Sequence, residues 1–193
     1  MLLQDKLIHK KLILASQSPR RQELLKGLNV NFEIVKIDSD ESFPLNLKRE
    51  QIMEHISTNK ANAYLHLQEN EILITADTLV WLNNEVLGKP KNYDDAFLTL
   101  QKIAGKTHEV FTSVTLKNLK KTVTFSDCTE VTFDKVSDEE IHYYLKNFKP
   151  FDKAGSYGIQ DWIGYAKISQ INGCYYNVMG LPVHKLHQEL LKF

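Results

Sequence analysis

Five cations and two carboxylates stand where their type needs a reason: Arg20, Arg21, Lys60, Lys89 and Lys153 on one side, Glu41 and Asp77 on the other. Arg21 precedes Leu24 and Leu25 by three and four residues and so shares their helical face. Lys60 falls on the stripe formed by Met53, Ile56, Ala63 and Leu67, and Lys89 is pinned between Gly88 and Pro90. A charge on an apolar stripe needs either a partner or a route to water along its stem. Cations on stiff elements, with a few carboxylates, suit a triphosphate and a divalent metal. The cations take phosphate oxygens, while Mg²⁺ takes one or two carboxylates and completes its shell with phosphate and water. The pattern points to a nucleotide enzyme.

The elements that must position these groups follow from periodicity. The apolar run Leu12, Ile13, Leu14 gives way to Ser16, Ser18, Pro19, Arg20 and Arg21, after which Glu23, Leu24, Leu25 and Leu28 recur at helical spacing. A strand turns into a helix here, with Ser18 at the N-cap, Pro19 at the first helical position and Gly27 near the far end. Free N–H groups and the partial positive charge of a helix start, with two arginines beside them, form an anion site. Serine and proline at a helix start are also ordinary capping. The place of Arg21 on the apolar face is what sets this segment apart.

Residues 31–36 read as a second strand, and Asp38, Asp40 and Glu41 follow in an acidic loop before Pro44. Residues 48–67 carry the period of a long amphipathic helix. Residues 72–76 form an apolar, β-branched run that suits a central strand ending at Asp77 and Thr78, the kind of strand end where open α/β sheets place ligands. Strand composition resumes at residues 79–82, Asn83 and Asn84 make a hairpin turn, and a helix spans residues 93–104. Gly105-Lys106-Thr107 is a turn, because Leu100 stands where a P-loop requires glycine. Residues 107–116 and 122–133 alternate as a long antiparallel hairpin, and Ser137 with Glu140 forms a capping box for a helix reaching Asn147. Residues 165–171 read as a strand and residues 182–191 as the closing helix.

Length and composition bound the class. A chain of 193 residues, 42% apolar and 25% charged, fits one globular α/β domain, 1–193, or a domain of two lobes around a cleft. Lys plus Arg and Asp plus Glu cancel at 24 each, so a strongly basic nucleic-acid footprint is absent and no stable nucleic-acid binding is expected. No apolar run approaches the ~18 residues of a membrane span, and residues 1–10 alternate charged with apolar side chains unlike a signal peptide, so a cytoplasmic protein is expected. Cys128 and Cys174 stand apart in the sequence with no metal-binding spacing and are expected as reduced structural cysteines.

Four motifs, Ala15-Ser16-Gln17-Ser18-Pro19-Arg20-Arg21, Ala76-Asp77-Thr78, Gly88-Lys89-Pro90 and Asp152-Lys153-Ala154-Gly155-Ser156-Tyr157-Gly158-Ile159-Gln160, occur in an order that resembles the Maf family of nucleoside triphosphate pyrophosphatases. The resemblance runs from about Lys11 to the C-terminus and leaves residues 1–10 outside it. It implies a mixed central sheet flanked by helices, in two lobes around a cleft, related to the inosine triphosphatase architecture. It also implies a homodimer and a divalent metal, Mg²⁺ or Mn²⁺, held by Glu41 and Asp77. Position by position it implies Asp77 as proton acceptor with Lys89 and Glu41 beside it. Ser16, Arg20, Arg21, Lys60 and Lys153 fall among substrate-binding positions, and Arg20, Thr78 and Gln160 among those linked to base choice. The form of the last motif is similar to the branch acting on dTTP and UTP, with Asp161 where a glycine is usual. The alternatives are a pyrophosphatase of other base preference and a regulator of septum formation that acts by binding a partner.

Overall fold

Apolar runs of strand length alternate with helical periods along most of the chain, and the computed structural model, which describes residues 2–193, turns them into a mixed α/β protein. In chain order come α1 (Leu3–Lys6), β1 (Lys11–Leu14), α2 (Pro19–Lys26), β2 (Phe32–Ile34) and α3 (Glu50–Ala63). The hairpin β3 (Glu71–Leu82) and β4 (Glu85–Leu87) leads to α4 (Tyr93–Ile103), then to β5 (Thr107–Lys117) and β6 (Thr122–Phe133). After these follow α5 (Asp138–Phe148), α6 (Trp162–Lys167), β7 (Ile168–Asn172), α7 (Tyr175–Met179) and α8 (Val183–Leu190). Backbone pairing orders the strands β2-β1-β3-β5-β6-β7, with β4 on β3. β1 lies parallel to both neighbours, Leu14 opposite Ile34 and Ile74, whereas the β3–β4 and β6–β7 pairs are antiparallel. No helix among the described residues is long and apolar enough to cross a membrane.

The chain divides into two compact units. The first comprises the chain up to Asp77 with Thr112–Asp127 and Gly180–Phe193; the second comprises Thr78–Phe111 and Cys128–Met179. In the first unit Ile13, Ala61 and Leu73 pack together with Val35, Ile37 and Tyr64 around them. The face of α3 toward the sheet is bonded as much as it is greased. Thr75 Oγ1 donates to the carbonyl of Ser57 at 2.6 Å, Ser57 Oγ meets Thr115 Oγ1 at 3.0 Å, Thr58 Oγ1 meets Thr124 Oγ1 at 3.1 Å, and Ser126 Oγ donates to Glu54 Oε1 at 2.7 Å. Threonine suits this seam because it is β-branched, as strands prefer, and still carries a hydroxyl to satisfy a buried partner. The seam also sets a register, since Ser57 shares a helix face with Lys60 and Thr75 shares a strand face with Asp77.

The second unit closes over Leu100, Ile103, Val110, Val131, Phe133 and Ile141. His108, 2% exposed, sits against the rings of Phe133 and Tyr157, with Nε2 2.8 Å from the Tyr157 hydroxyl. Its Nδ1 has no hydrogen-bond partner among the described residues.

Several expectations change. β3 runs unbroken from Glu71 to Leu82, so Asp77 lies inside a strand and not at its end. Residues 165–167 belong to α6, and only from Ile168 does the chain enter β7. Helical bonds from the amides of Gly164 and Tyr165 back to the Asp161 carbonyl decide this, against the strand-like composition of the segment. Two short helices, α1 and α7, carry no period long enough to be read. Both cysteines are free, as expected, and the Asn83-Asn84 turn has both residues left-handed, at φ 51° and 65°.

Burial lowers the His108 pKa from 6.5 to about 4. Above pH 6.5 neither the folded nor the unfolded chain binds this proton, whereas between 6.5 and 4 only the unfolded chain takes it up, so stability falls across that window by about 3 kcal/mol. His108→Gln should therefore flatten the decline of unfolding free energy between pH 7 and 4.5, measured by urea titration at each pH. Parallel pH profiles for the two proteins would remove His108 from the acid response.

Candidate functional site

In the first unit the chain brings together Ser16, Arg21, Glu41, Lys60 and Asp77. β1 stops at Leu14, and the next backbone bond, from the Ala15 amide to the Ile74 carbonyl at 2.9 Å, is the last it makes with β3 before the chain turns toward α2. Asp77 therefore projects from β3 three residues beyond the end of its parallel neighbour. Lys60 reaches it from α3, with Nζ 2.5 Å from Asp77 Oδ2 and 2.7 Å from Glu41 Oε1. Lys60 and Asp77 are only 14% and 15% exposed, whereas Glu41, in the acidic loop, is 55% exposed. Lys60 therefore meets two carboxylate partners instead of running along its stem to water.

Arg21 stands at the start of α2. Its Nε donates to the Gly180 carbonyl at 2.8 Å, Nη1 lies 3.5 Å from Ser16 Oγ, and Nη2 lies 4.0 Å from Asp77 Oδ1. Burial pulls its pKa below the ordinary value and the Asp77 carboxylate opposes that pull; a guanidinium so placed stays charged. Arg20, half-buried, adds a second charge beside it. Ser18 occupies the N-cap with no side-chain bond, and Ser16 Oγ accepts its amide at 3.3 Å. The serine two residues before the cap, expected only as part of a phosphate-binding turn, thus orders both the turn and the arginine.

The implied metal can be tested on this donor set. No group of three or more His, Cys, Asp or Glu side chains suited to a metal ion occurs among the described residues. Two carboxylate oxygens, from Glu41 and Asp77, nonetheless converge on the Lys60 ammonium. Two hard oxygens drawn to one point of positive charge fit Mg²⁺ or Mn²⁺, which bind through one or two carboxylates when a substrate supplies phosphate oxygens.

The remaining expected residues lie in the second unit. Thr78 follows Asp77 in β3 and is half-buried. Lys89 is exposed and makes no hydrogen bond or ion pair among the described residues, although the carbonyl of its neighbour Gly88 accepts the Gly155 amide at 3.1 Å. Lys153, 13% exposed, places Nζ 2.9 Å from Asp152 Oδ1 and 3.9 Å from Asp161 Oδ2. Gln160 presents Oε1 as a buried acceptor with no partner among the described residues. Gly155 is left-handed, at φ 69°, and a Cβ on it would stand 2.8 Å from Val80 Cγ2, so only glycine lets the loop lie this close to β3. Sequence reasoning missed Tyr144, whose hydroxyl bonds Asp161 and Gly158, because Ile141, Tyr144 and Leu145 at helical spacing read only as core. It also missed the Gly180 carbonyl, a backbone group that no side-chain pattern announces.

A mixed α/β chain with two partly buried arginines at a helix start and an acid past the end of a parallel strand has the elements of an anion-binding protein. The family model for Maf-like protein matches residues 11–193, and the chain belongs to the Maf family. It is 53% identical over 191 residues to a protein of Flavobacterium psychrophilum named dTTP/UTP pyrophosphatase, covering 98% of each chain. It is 52% identical over 184 residues to a protein of the same name from Phocaeicola vulgatus, covering 94% of this chain and 95% of that one. Among solved structures, the Staphylococcus aureus Ham1 protein shares 13% identity over 64% of this chain and 72% of its own at a TM-score of 0.47, too loose a likeness to add to the strand order itself.

Lys60→Met leaves Asp77 with one cationic neighbour fewer in a site with little water, and should lower the unfolding free energy by about 1–3 kcal/mol in denaturant titration. Adding Asp77→Asn to it should cost less than the two single changes summed, because the pair is removed together. Strict additivity would mean that the two side chains do not depend on each other.

Proposed function

We propose that the protein is a nucleoside triphosphate pyrophosphatase acting on dTTP and UTP, with release of the monophosphate and pyrophosphate. The observation that carries this reading is the cluster of Asp77, Lys60, Glu41 and Arg21 around the start of α2. The names of the relatives at 53% and 52% identity support it.

In this reading Asp77 orients a water and accepts its proton as the oxygen attacks the α-phosphorus. One P–O bond forms, the bond to the bridging oxygen of the β-phosphate breaks, and pyrophosphate leaves with the electron pair. Arg20, Arg21, Lys60 and Lys89 would offset the charge of the triphosphate and of the leaving group, where cations fixed in advance contribute most, and Lys153 would be a substrate-binding residue. Ser16 holds Arg21 and adds a hydroxyl to the turn. Glu41 and Asp77 would hold Mg²⁺ or Mn²⁺, which when bound supplies Lewis-acid stabilisation of the phosphate oxygens. A homodimer and a cytoplasmic setting go with the same family reading.

Base choice rests on Gln160, with Thr78 and Arg20 the other positions that the family pattern links to it. Its unpartnered Oε1 suits the N3–H of thymine or uracil, and its amide N–H groups suit the adjacent carbonyl. With the amide held in that orientation, cytosine, which offers an acceptor at N3, would leave Oε1 buried and unbonded, a mismatch that polar sites reject strongly. One methyl is worth only about 1–3 kcal/mol even in a snug pocket, so thymine and uracil should be handled alike.

The test is pyrophosphate release from a panel of triphosphates with and without Mg²⁺. dTTP and UTP should be cleaved well above CTP and the purine nucleotides, and chelation should stop turnover; a protein that turns over none of them would fit a binding role instead. Asp77→Asn should lower kcat by ~10² to 10⁴ with the fold retained, as expected on losing a general base. A variant keeping a tenth or more of wild-type kcat, on that same scale, would show that Asp77 neither takes the proton nor holds the metal. Gln160→Leu should erode the preference for dTTP over CTP more than it lowers the best rate, and an unaltered preference would place base reading elsewhere.

A further inference from the structure

Residues 152–160 carry Lys153 and Gln160 but contain only one short 3-10 turn, Ala154–Ser156, so their shape must be fixed from outside. Both Gly155 and Ser156 are left-handed, at φ 69° and 60°, a backbone that a side-chain-bearing residue holds only under constraint. Three bonds close a ring at the end of this loop. The Gly158 amide donates to the Tyr144 hydroxyl oxygen at 3.0 Å, the Tyr144 hydroxyl donates to Asp161 Oδ2 at 2.8 Å, and the Asp161 amide donates to the Gly158 carbonyl at 3.0 Å.

Tyr144 is a rigid post for this ring. It is fully buried on α5 and stacked on Phe148, with ring centroids 5.3 Å apart. Burial first, and the Asp161 carboxylate second, push its pKa upward, so the hydroxyl keeps its proton and keeps donating. Asp161 takes up the space that a side chain on residue 158 would need: a Cβ there would lie 2.5 Å from Asp161 Oδ2 and 3.0 Å from Lys153 Cε. The same carboxylate oxygen stands 3.9 Å from Lys153 Nζ. One carboxylate therefore touches the loop at three points, through the Tyr144 hydroxyl, against the Gly158 backbone and beside the Lys153 ammonium.

We propose that Tyr144 and Asp161 are positioning residues that clamp residues 152–160, hold Lys153 and Gln160 each in one orientation, and so set the discrimination between bases. A glutamine amide free to turn would present its oxygen or its nitrogen to the base indifferently; one carried on a clamped loop offers a fixed order of acceptor and donor. The carboxylate acts through its neighbours and has no part in the chemical step. The consequence for base choice rests on the pyrimidine triphosphate reading above, whereas the clamp itself does not.

The test uses the full-length protein, wild type and the variants Tyr144→Phe, Asp161→Ala and Asp161→Asn, with two readouts. In the first, amide hydrogen exchange over residues 152–160 should quicken about tenfold in Tyr144→Phe and in Asp161→Ala, the scale of one lost hydrogen bond to a charged group. Asp161→Asn, which keeps an oxygen to accept the Tyr144 hydroxyl, should stay within about threefold on the same scale. In the second, the ratio of kcat/KM for dTTP to that for CTP should fall about tenfold in the first two variants and be largely retained in Asp161→Asn. Should Tyr144→Phe fail to fold, Asp161→Ala decides by the same two readouts. Unchanged exchange in the folded variants overturns the clamp. Faster exchange with an unchanged dTTP to CTP ratio overturns the assignment of base discrimination to it. A wild-type protein that cleaves neither dTTP nor UTP overturns the pyrophosphatase reading instead, and the exchange data still decide the clamp.

Discussion

The Lys60 ammonium, held between Asp77 and Glu41, is the interaction on which the first unit is arranged. A lysine and an aspartate that are mostly withdrawn from water are costly unless they meet, and they meet only if α3 lies at one rotation and one height against the sheet. The hydroxyl seam supplies that constraint. Apolar packing alone tolerates small slides of a helix over a sheet, whereas Thr75 to the Ser57 carbonyl and Ser126 to Glu54 are directional bonds that a slide would break. A polar seam against α3 is thus the mechanical counterpart of the charged pair at its end.

Arg21 meets the same problem with a different solution. Its guanidinium divides its donors among a backbone carbonyl at Gly180, the Ser16 hydroxyl and the Asp77 carboxylate, so its planar fork is held from several directions. A cation anchored in this way is oriented before any anion arrives. Lys89 is the contrast: it is exposed and, among the described residues, its side chain meets no partner that would orient it in advance. In the second unit the Tyr144 hydroxyl, buried on α5, bonds both the Gly158 amide and the Asp161 carboxylate, which in turn lies beside the Lys153 ammonium.

Much of this was legible in the chain. The α4 stripe, the capping box at Ser137, the Asn83-Asn84 turn and the β5–β6 hairpin are local, and local chemistry fixes them, whereas the helix expected over residues 48–67 ends at Ala63. The ends of elements were less so. α6 hides in strand-like composition because its first turn is set by the carbonyl of Asp161, and β3 continues past Asp77 into the stretch from Val80 to Leu82 that pairs with β4.

By itself the sequence determined which residues were out of place: Arg21 and Lys60 on apolar stripes, an acid at the end of an apolar run, a glycine-rich loop carrying a lysine and a glutamine. It determined this because burial cost belongs to the side chain and periodicity tells which side chains are buried. What only the tertiary structure decided was the partner of each. Lys60 and Asp77 are 17 residues apart, Arg21 and the Gly180 carbonyl 159, and Tyr144 and Asp161 17, with nothing in the intervening chain to announce any of these pairings. Long-range contacts of this kind follow from the order in which strands pair and from the rotation at which helices dock, and a carbonyl or a phenol that serves as a fixed point looks in sequence like any other member of the core.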